Sequence, residues 1–140
     1  MKIFKFLSAF AAFVASTGIS THVLDLTTGL PGPGMKIDVF YQVDQGYGVG
    51  PDWTPIRSLI TNSDGRTDEP VVSTEEIEMI NRASDNFYKI VFYTDEYYKD
   101  VDTFFPRPEM VFRVKKEQIG EHFHVPILCT PYSYSTYRGS

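Results

Sequence analysis

The sequence predicts an all-β protein, a two-sheet β-sandwich of about seven or eight strands with one short helix. Beyond residue 18 the dominant hydrophobic period is two, the spacing of side chains on one face of a strand. β-Branched and aromatic residues are frequent in these runs, and the breaks between them are rich in Gly, Pro and Asp. Several short strands separated by such turns are typical of a sandwich.

The predicted strands follow one another along the chain. The clearest is residues 37–43, in which Ile37, Val39 and Tyr41 alternate with other residues and define one buried face. The remaining predicted strands are residues 19–26, 54–61, 87–93, 110–115, 123–130 and 133–138. No internal repeat or interdomain linker interrupts them, so residues 19–140 are predicted to form one domain.

One helix is predicted after Ser73. Ser73 and Glu76 have the spacing of a capping box, in which each satisfies a backbone N–H of the other. Ile77, Ile80 and Ala83 then recur on one face at helical spacing.

Composition and charge exclude several classes of protein. With 42% hydrophobic and 22% charged residues, the 140-residue chain has the composition of an ordinary globular domain. The formal net charge of −5 argues against nucleic acid as a partner, because phosphate binding needs a basic face. A single cysteine, Cys129, excludes an intramolecular disulfide and is predicted to be a small buried residue.

Residues 1–18 are predicted to be a signal peptide. Lys2 and Lys5 precede an apolar stretch at residues 6–14, and small residues follow at 15–18. The stretch is too short to span a bilayer comfortably. The mature protein is therefore expected to be secreted or periplasmic, with no membrane association once the signal is cleaved.

Two stretches, residues 87–93 and 132–137, are apolar on both faces. In a small sandwich only one face of each sheet is internal, so the second face requires another cover. A homo-oligomer would supply it, and so would covering loops.

Candidate functional residues are few. Because side chains alternate along a strand, His122 and His124 share one face of theirs. His22 points opposite to its neighbours, and Arg66 follows an Asp64-Gly65 turn. Each also has an ordinary structural interpretation, a hydrogen-bonded histidine or a solvated arginine.

Four segments together resemble the 5-hydroxyisourate hydrolase family, the urate-pathway relatives of transthyretin. They are residues 20–25 (STHVLD), 61–66 (TNSDGR), 122–128 (HFHVPIL) and the terminal YRGS at 137–140. The resemblance spans residues 19–140. It implies a transthyretin-like sandwich, a homotetramer with a central channel, and cofactor-free hydrolysis of 5-hydroxyisourate to 2-oxo-4-hydroxy-4-carboxy-5-ureidoimidazoline in urate degradation.

The resemblance also implies roles for individual residues. His22, Arg66, His124 and Ser140 would be catalytic, and His22, Arg66, Tyr137 and Arg138 would bind substrate. The base that takes a proton from water would be His22 or His124, and the sequence does not choose between them. Arg66 would stabilise charge on the substrate, Tyr137 would pack on its ring, and Arg138 would bind it or tether the tail.

Two alternatives remain open at this point. A transthyretin-like binding or transport protein would carry a hydrophobic ligand between subunits, although the YRGS ending speaks against it. A zinc hydrolase would use His22, His122 and His124 as ligands, although a His-x-His pair alone is a weak signal and no metal is expected. The Gly-rich stretch at 45–51 is longer than is common in the family and is predicted to be a surface loop.

Overall fold

Two four-stranded sheets and one two-stranded ladder contain the strands of the computed structural model, which describes residues 18–140. The strands are β1 Ile19–Ser20, β2 Val23–Asp25, β3 Leu30–Pro31, β4 Lys36–Val43, β5 Thr54–Ile60, β6 Asn86–Phe92, β7 Glu109–Val114, β8 Phe123–His124, β9 Ile127–Thr130 and β10 Ser133–Thr136. The helices are α1 Thr74–Ile80, α2 Thr94–Tyr97 and a 3₁₀ turn at Lys116–Gln118. The predicted signal peptide lies outside the described residues except for Gly18.

The two sheets enclose one hydrophobic core. Their strand orders are β10-β9-β2-β3 and β5-β4-β6-β7, while β1 and β8 pair in parallel beside them. Fully buried side chains come from both sheets, including Val23 and Ile127 from one and Ile37, Tyr88 and Ile90 from the other. The predicted β-sandwich is therefore confirmed, and Cys129 is buried within it as predicted.

The predicted strands are present, but two of them are interrupted. Residues 19–26 divide into β1 and β2, and residues 123–130 divide into β8 and β9. Pro126 lies at the second break and has no N–H for a ladder. The Thr21 hydroxyl donates to the carbonyl oxygen of Val125 at 2.7 Å, so the two breaks lie side by side.

Helix α1 has the predicted cap. Ser73 Oγ accepts from the backbone N–H of Glu76 at 3.2 Å, and the Glu76 carboxylate accepts from the N–H of Ser73 at 3.0 Å. After the helix, Asn81 donates to the carbonyl oxygen of Val114 and accepts from the Tyr88 hydroxyl, which joins the helix end to the core. The short strand β3 and helix α2 were not predicted, because two to four residues carry too little periodicity.

The two stretches that are apolar on both faces have different environments. Strand β6 is buried on both faces inside its sheet. Strand β10 is exposed at every position and forms an edge of the other sheet, and its one aromatic residue, Tyr134, packs edge-on against Phe105 at 5.2 Å between ring centroids. Within residues 18–140 no helix is long and apolar enough to cross a membrane.

Candidate active site

A cavity of about 560 Å³ lies beside the β1–β8 ladder. Its walls are Ser20, Thr21, Arg66, Thr67, Glu69, Pro70, His122, His124, Tyr137, Gly139 and Ser140. The start, middle and end of the chain all contribute. The residues singled out in the sequence that meet here are Arg66, His122, His124, Tyr137 and Ser140.

The end of the chain is held against His124. The backbone N–H of Gly139 donates to the carbonyl oxygen of His124 at 2.8 Å, as part of an isolated antiparallel bridge. A Cβ at Gly139 would lie only 2.6 Å from Cδ2 of His124. Glycine is therefore the residue that lets the tail approach the imidazole ring closely.

Arg138 turns away from the cavity. Its guanidinium lies 4.8 Å from the centre of the Phe123 ring and 3.1 Å from the Glu121 carboxylate. Of the two uses considered for Arg138, the geometry corresponds to tethering of the tail. The structure does not bring Arg138 together with the other predicted site residues.

Arg66 is positioned by a tight turn. Asn62 Oδ1 accepts from the backbone N–H groups of Asp64 and Arg66, and Gly65 has a positive φ of 71°. A Cβ at Gly65 would lie 2.5 Å from the carbonyl oxygen of Val23, so the turn packs directly on β2. The Arg66 guanidinium makes no salt bridge within residues 18–140 and is left exposed at the cavity.

His22 lies in the break between β1 and β2 and is not among the residues that line the cavity. Its backbone carbonyl accepts from the N–H of Ile127 at 2.9 Å, and its Nε2 is buried with no hydrogen-bond partner among residues 18–140. Burial and then the Arg66 guanidinium lower the pKa of His22, while a hydrogen bond with the Asp64 backbone raises it by less.

His124 is held by a residue that was not predicted. Its Nδ1 lies 2.8 Å from Ser20 Oγ, and the same oxygen lies 3.3 Å from Nε2 of His122. The two imidazole rings share one face of the chain, as predicted, with centroids 6.4 Å apart. Ser20 was missed because its place opposite His124 depends on the pairing of β1 with β8, which no local pattern reveals.

The electrostatic environment of His124 disfavours the charged form of its imidazole. Burial, followed by Arg66, His122 and His22, lowers its pKa. A neutral imidazole can accept a proton or donate a hydrogen bond at neutral pH. Among the described residues, no group of three or more His, Cys, Asp or Glu side chains could hold a metal ion.

Comparison with known proteins identifies the family. The sequence model of the HIUase/Transthyretin family matches residues 19–139. The 5-hydroxyisourate hydrolase of Pseudomonas aeruginosa is 38% identical over 126 residues, which are 87% of this chain and 90% of that protein.

Two solved structures are similar in fold. The crystal structure of (S)-allantoin synthase has a TM-score of 0.71 and 27% identity, over 91% of this chain but only 45% of the other. Sea bream transthyretin in complex with thyroxine has a TM-score of 0.67 and 21% identity, over 86% of this chain and 93% of the other. The chain belongs to the HIUase/Transthyretin family.

Proposed function

We propose that the protein hydrolyses 5-hydroxyisourate to 2-oxo-4-hydroxy-4-carboxy-5-ureidoimidazoline, a step of urate degradation. The observation that carries the proposal is the cavity itself. Support comes from the residues around this one space, which are Arg66 without a salt bridge in residues 18–140, His124 with a lowered pKa, and Ser140. Further support is the 38% identity to a bacterial 5-hydroxyisourate hydrolase.

The chemistry follows from these groups. A neutral imidazole takes a proton from water as the water oxygen bonds to the carbonyl carbon of the cyclic acylurea. The ring C–N bond then breaks, and the departing nitrogen receives that proton. Within residues 18–140 Arg66 forms no salt bridge, so its planar fork is free to stabilise the oxyanion that forms on the carbonyl oxygen.

The tail has a positioning role in this proposal. Tyr137 lines the cavity and offers a flat ring for a planar heterocycle. Ser140 lies at the same cavity, where its hydroxyl or terminal carboxylate can orient the attacking water. Arg138 holds the tail through Glu121 and Phe123 rather than by binding substrate.

The decisive assay follows the spectroscopic decay of freshly generated 5-hydroxyisourate with and without the protein. We expect strong acceleration by the wild type, and large losses for His22→Asn and His124→Asn variants that keep their fold. Acceleration that survives dialysis against a strong chelator supports the metal-free mechanism. Loss on chelation with recovery on zinc addition would support the three-histidine zinc site, and absence of any acceleration would favour a binding protein.

We further propose that the protein assembles as a homotetramer. The free edges β7 and β10 line one groove of about 640 Å³, so a second copy could extend both sheets at once. Nearby aromatic residues lack cover in the single chain, with Phe104 73% and Tyr132 65% exposed. Leu26 and Leu30, also exposed, give the β2–β3 region an apolar surface through which two such pairs could pack.

Light scattering of the wild type and of Val111→Lys tests this assembly. Val111 lies on edge strand β7 and is 42% exposed, so lysine there charges the edge without entering the core. We expect four chains in the wild type and a smaller species in the variant. A monomeric wild type would contradict the proposal.

We also propose export through a signal peptide at residues 1–18, leaving a secreted or periplasmic domain at 19–140. The support is the basic start, the apolar stretch and the small residues that follow. The intact mass of the protein recovered from its native compartment tests this, because an uncleaved chain would refute it. Gly18 is buried, and its carbonyl oxygen accepts from the N–H of Phe123 at 2.8 Å. Because cleavage after residue 18 would remove Gly18, the same mass shows whether this contact is retained.

A further inference from the structure

One hydroxyl group contacts two imidazole rings in the cavity. Ser20 Oγ lies 2.8 Å from Nδ1 of His124 and 3.3 Å from Nε2 of His122. A serine hydroxyl has one proton, so it can donate to only one ring and must accept from the other. The position of the proton on His122 is therefore coupled to its position on His124.

The surroundings of His122 decide which ring donates to the Ser20 hydroxyl and which ring accepts from it. Its Nδ1 is buried and has no hydrogen-bond partner within residues 18–140. A buried N–H without an acceptor is rarer in proteins than an under-used acceptor, so Nδ1 carries the lone pair and Nε2 carries the proton. His122 then donates to Ser20, and Ser20 donates to Nδ1 of His124. The distances agree, since the hydroxyl donor makes the shorter contact.

We propose that Ser20 is a positioning residue that fixes neutral His124 as the tautomer protonated on Nε2. The nitrogen available to a molecule in the cavity is then an N–H donor. His124 would thus polarise the substrate carbonyl as a neutral electrophile, beside Arg66, while the base role falls to His22. The kinetic part of this inference rests on the proposed hydrolase function.

The backbone holds Ser20 in place for this role. Ser20 and His124 are register partners in the parallel β1–β8 ladder, and the carbonyl oxygen of Ser20 accepts from the N–H of Val125 at 2.9 Å. The backbone of Ser20 is therefore fixed relative to His124, which limits the directions in which its hydroxyl can point.

The same reasoning assigns the tautomer of His22. Its Nε2 is buried with no partner in the described part of the chain, so that atom holds a lone pair rather than a proton. For His22 to act as the base, this atom must become accessible to water when substrate binds. In the reaction His22 takes the water proton and passes it to the departing nitrogen, while His124 keeps its own proton throughout.

The first test needs no substrate. Nitrogen-15 NMR of the His124 ring, at a pH where it is neutral, reports which nitrogen carries the proton. We expect Nε2–H in the wild type and in Ser20→Thr, which keeps a hydroxyl. We expect a mixture of tautomers in Ser20→Ala. A wild-type ring protonated on Nδ1, or an unchanged tautomer in Ser20→Ala, would overturn the inference.

The second test is kinetic. Ser20→Ala should lower kcat by about 10- to 100-fold and leave KM nearly unchanged. This is the range found when the hydrogen-bond partner of a metal-bound histidine is removed. Ser20→Thr should retain most activity. Ser58→Ala is the matched control, because its hydroxyl bonds to Asp38 in the other sheet, away from the cavity. Equal losses in Ser20→Ala and Ser58→Ala would indicate a general effect on folding and overturn the assignment.

The pH profile separates the two histidines. Charged or titratable groups near His124 are His22, His122 and Arg66, with Glu69 at the same cavity. If His22 is the base, the acid limb of kcat/KM stays in place in Ser20→Ala while the plateau falls. An acid limb that moves with Ser20→Ala would make His124 the base and refute the division. An inactive wild type would refute the hydrolase proposal alone, since the NMR test stands without it.

Discussion

Replacing Gly139 by alanine should damage the site through one added methyl group. Its Cβ would lie 2.6 Å from Cδ2, 3.2 Å from Cγ and 3.3 Å from Cβ of His124. Carbon atoms in contact are normally about 3.5–4.0 Å apart, so the ring or the tail must move by about 1 Å. Gly139 has no positive φ, so the effect comes from this contact and not from backbone strain.

The expected magnitudes differ for activity and stability. A misplacement of about 1 Å in a catalytic group costs on the order of 10² in rate, so kcat/KM for 5-hydroxyisourate should fall about 100-fold. The tail can relieve the clash by giving up the hydrogen bond from Gly139 N–H to the His124 carbonyl, which is worth about 1 kcal/mol. The melting temperature should therefore fall by only about 2–4 °C.

The control for this prediction is Gly120→Ala. A Cβ at Gly120 meets nothing within 4 Å, and its φ is not positive. It should leave both turnover and melting temperature unchanged. Wild-type turnover in Gly139→Ala would show that close contact between the tail and His124 is irrelevant to catalysis, and a large loss of stability would show that the tail is part of the core.

Three further changes test the other parts of the site. Arg66→Lys keeps the charge but loses the planar fork, so its loss of kcat/KM should approach that of Arg66→Ala, on the order of 10²–10³. A lysine variant that retains most of its activity would contradict bidentate binding of the substrate by Arg66. Burial and then Arg66 lower the pKa of both His22 and His124 from the ordinary 6.5, so kcat/KM should fall by protonation of the base only below that pH. An acid limb of kcat/KM centred above pH 6.5 would contradict a histidine base in this environment. Deleting residues 137–140 should remove catalysis with little change in melting temperature. A few residues added after Ser140 should leave folding intact yet reduce turnover. Full activity in the extended chain would exclude a role for the terminus.

The sequence predicted those features that depend on local patterns. The alternation in residues 37–43, the capping box at Ser73 and the shared face of His122 and His124 all follow from neighbours within a few residues. The prediction could not reach pairings between distant segments. The contact of Ser20 with His124 joins residues 104 positions apart, and only the folded chain shows that Arg138 points away from the cavity.

The parallel pairing of β1 with β8 and of β2 with β9 has a consequence for how the chain folds. Strand β2 lies inside its sheet only because β9 pairs with it. This pairing, like the neighbouring contact of Thr21 with Val125, joins residues 104 positions apart. Contacts of such long sequence separation slow folding, since the entropy of loop closure is lost before they form. During synthesis β2 can pair only with the two-residue strand β3 until the last segment emerges. A chain that stalls before β9 would therefore expose an unpaired strand edge, and its main hazard would be association with other unfinished chains.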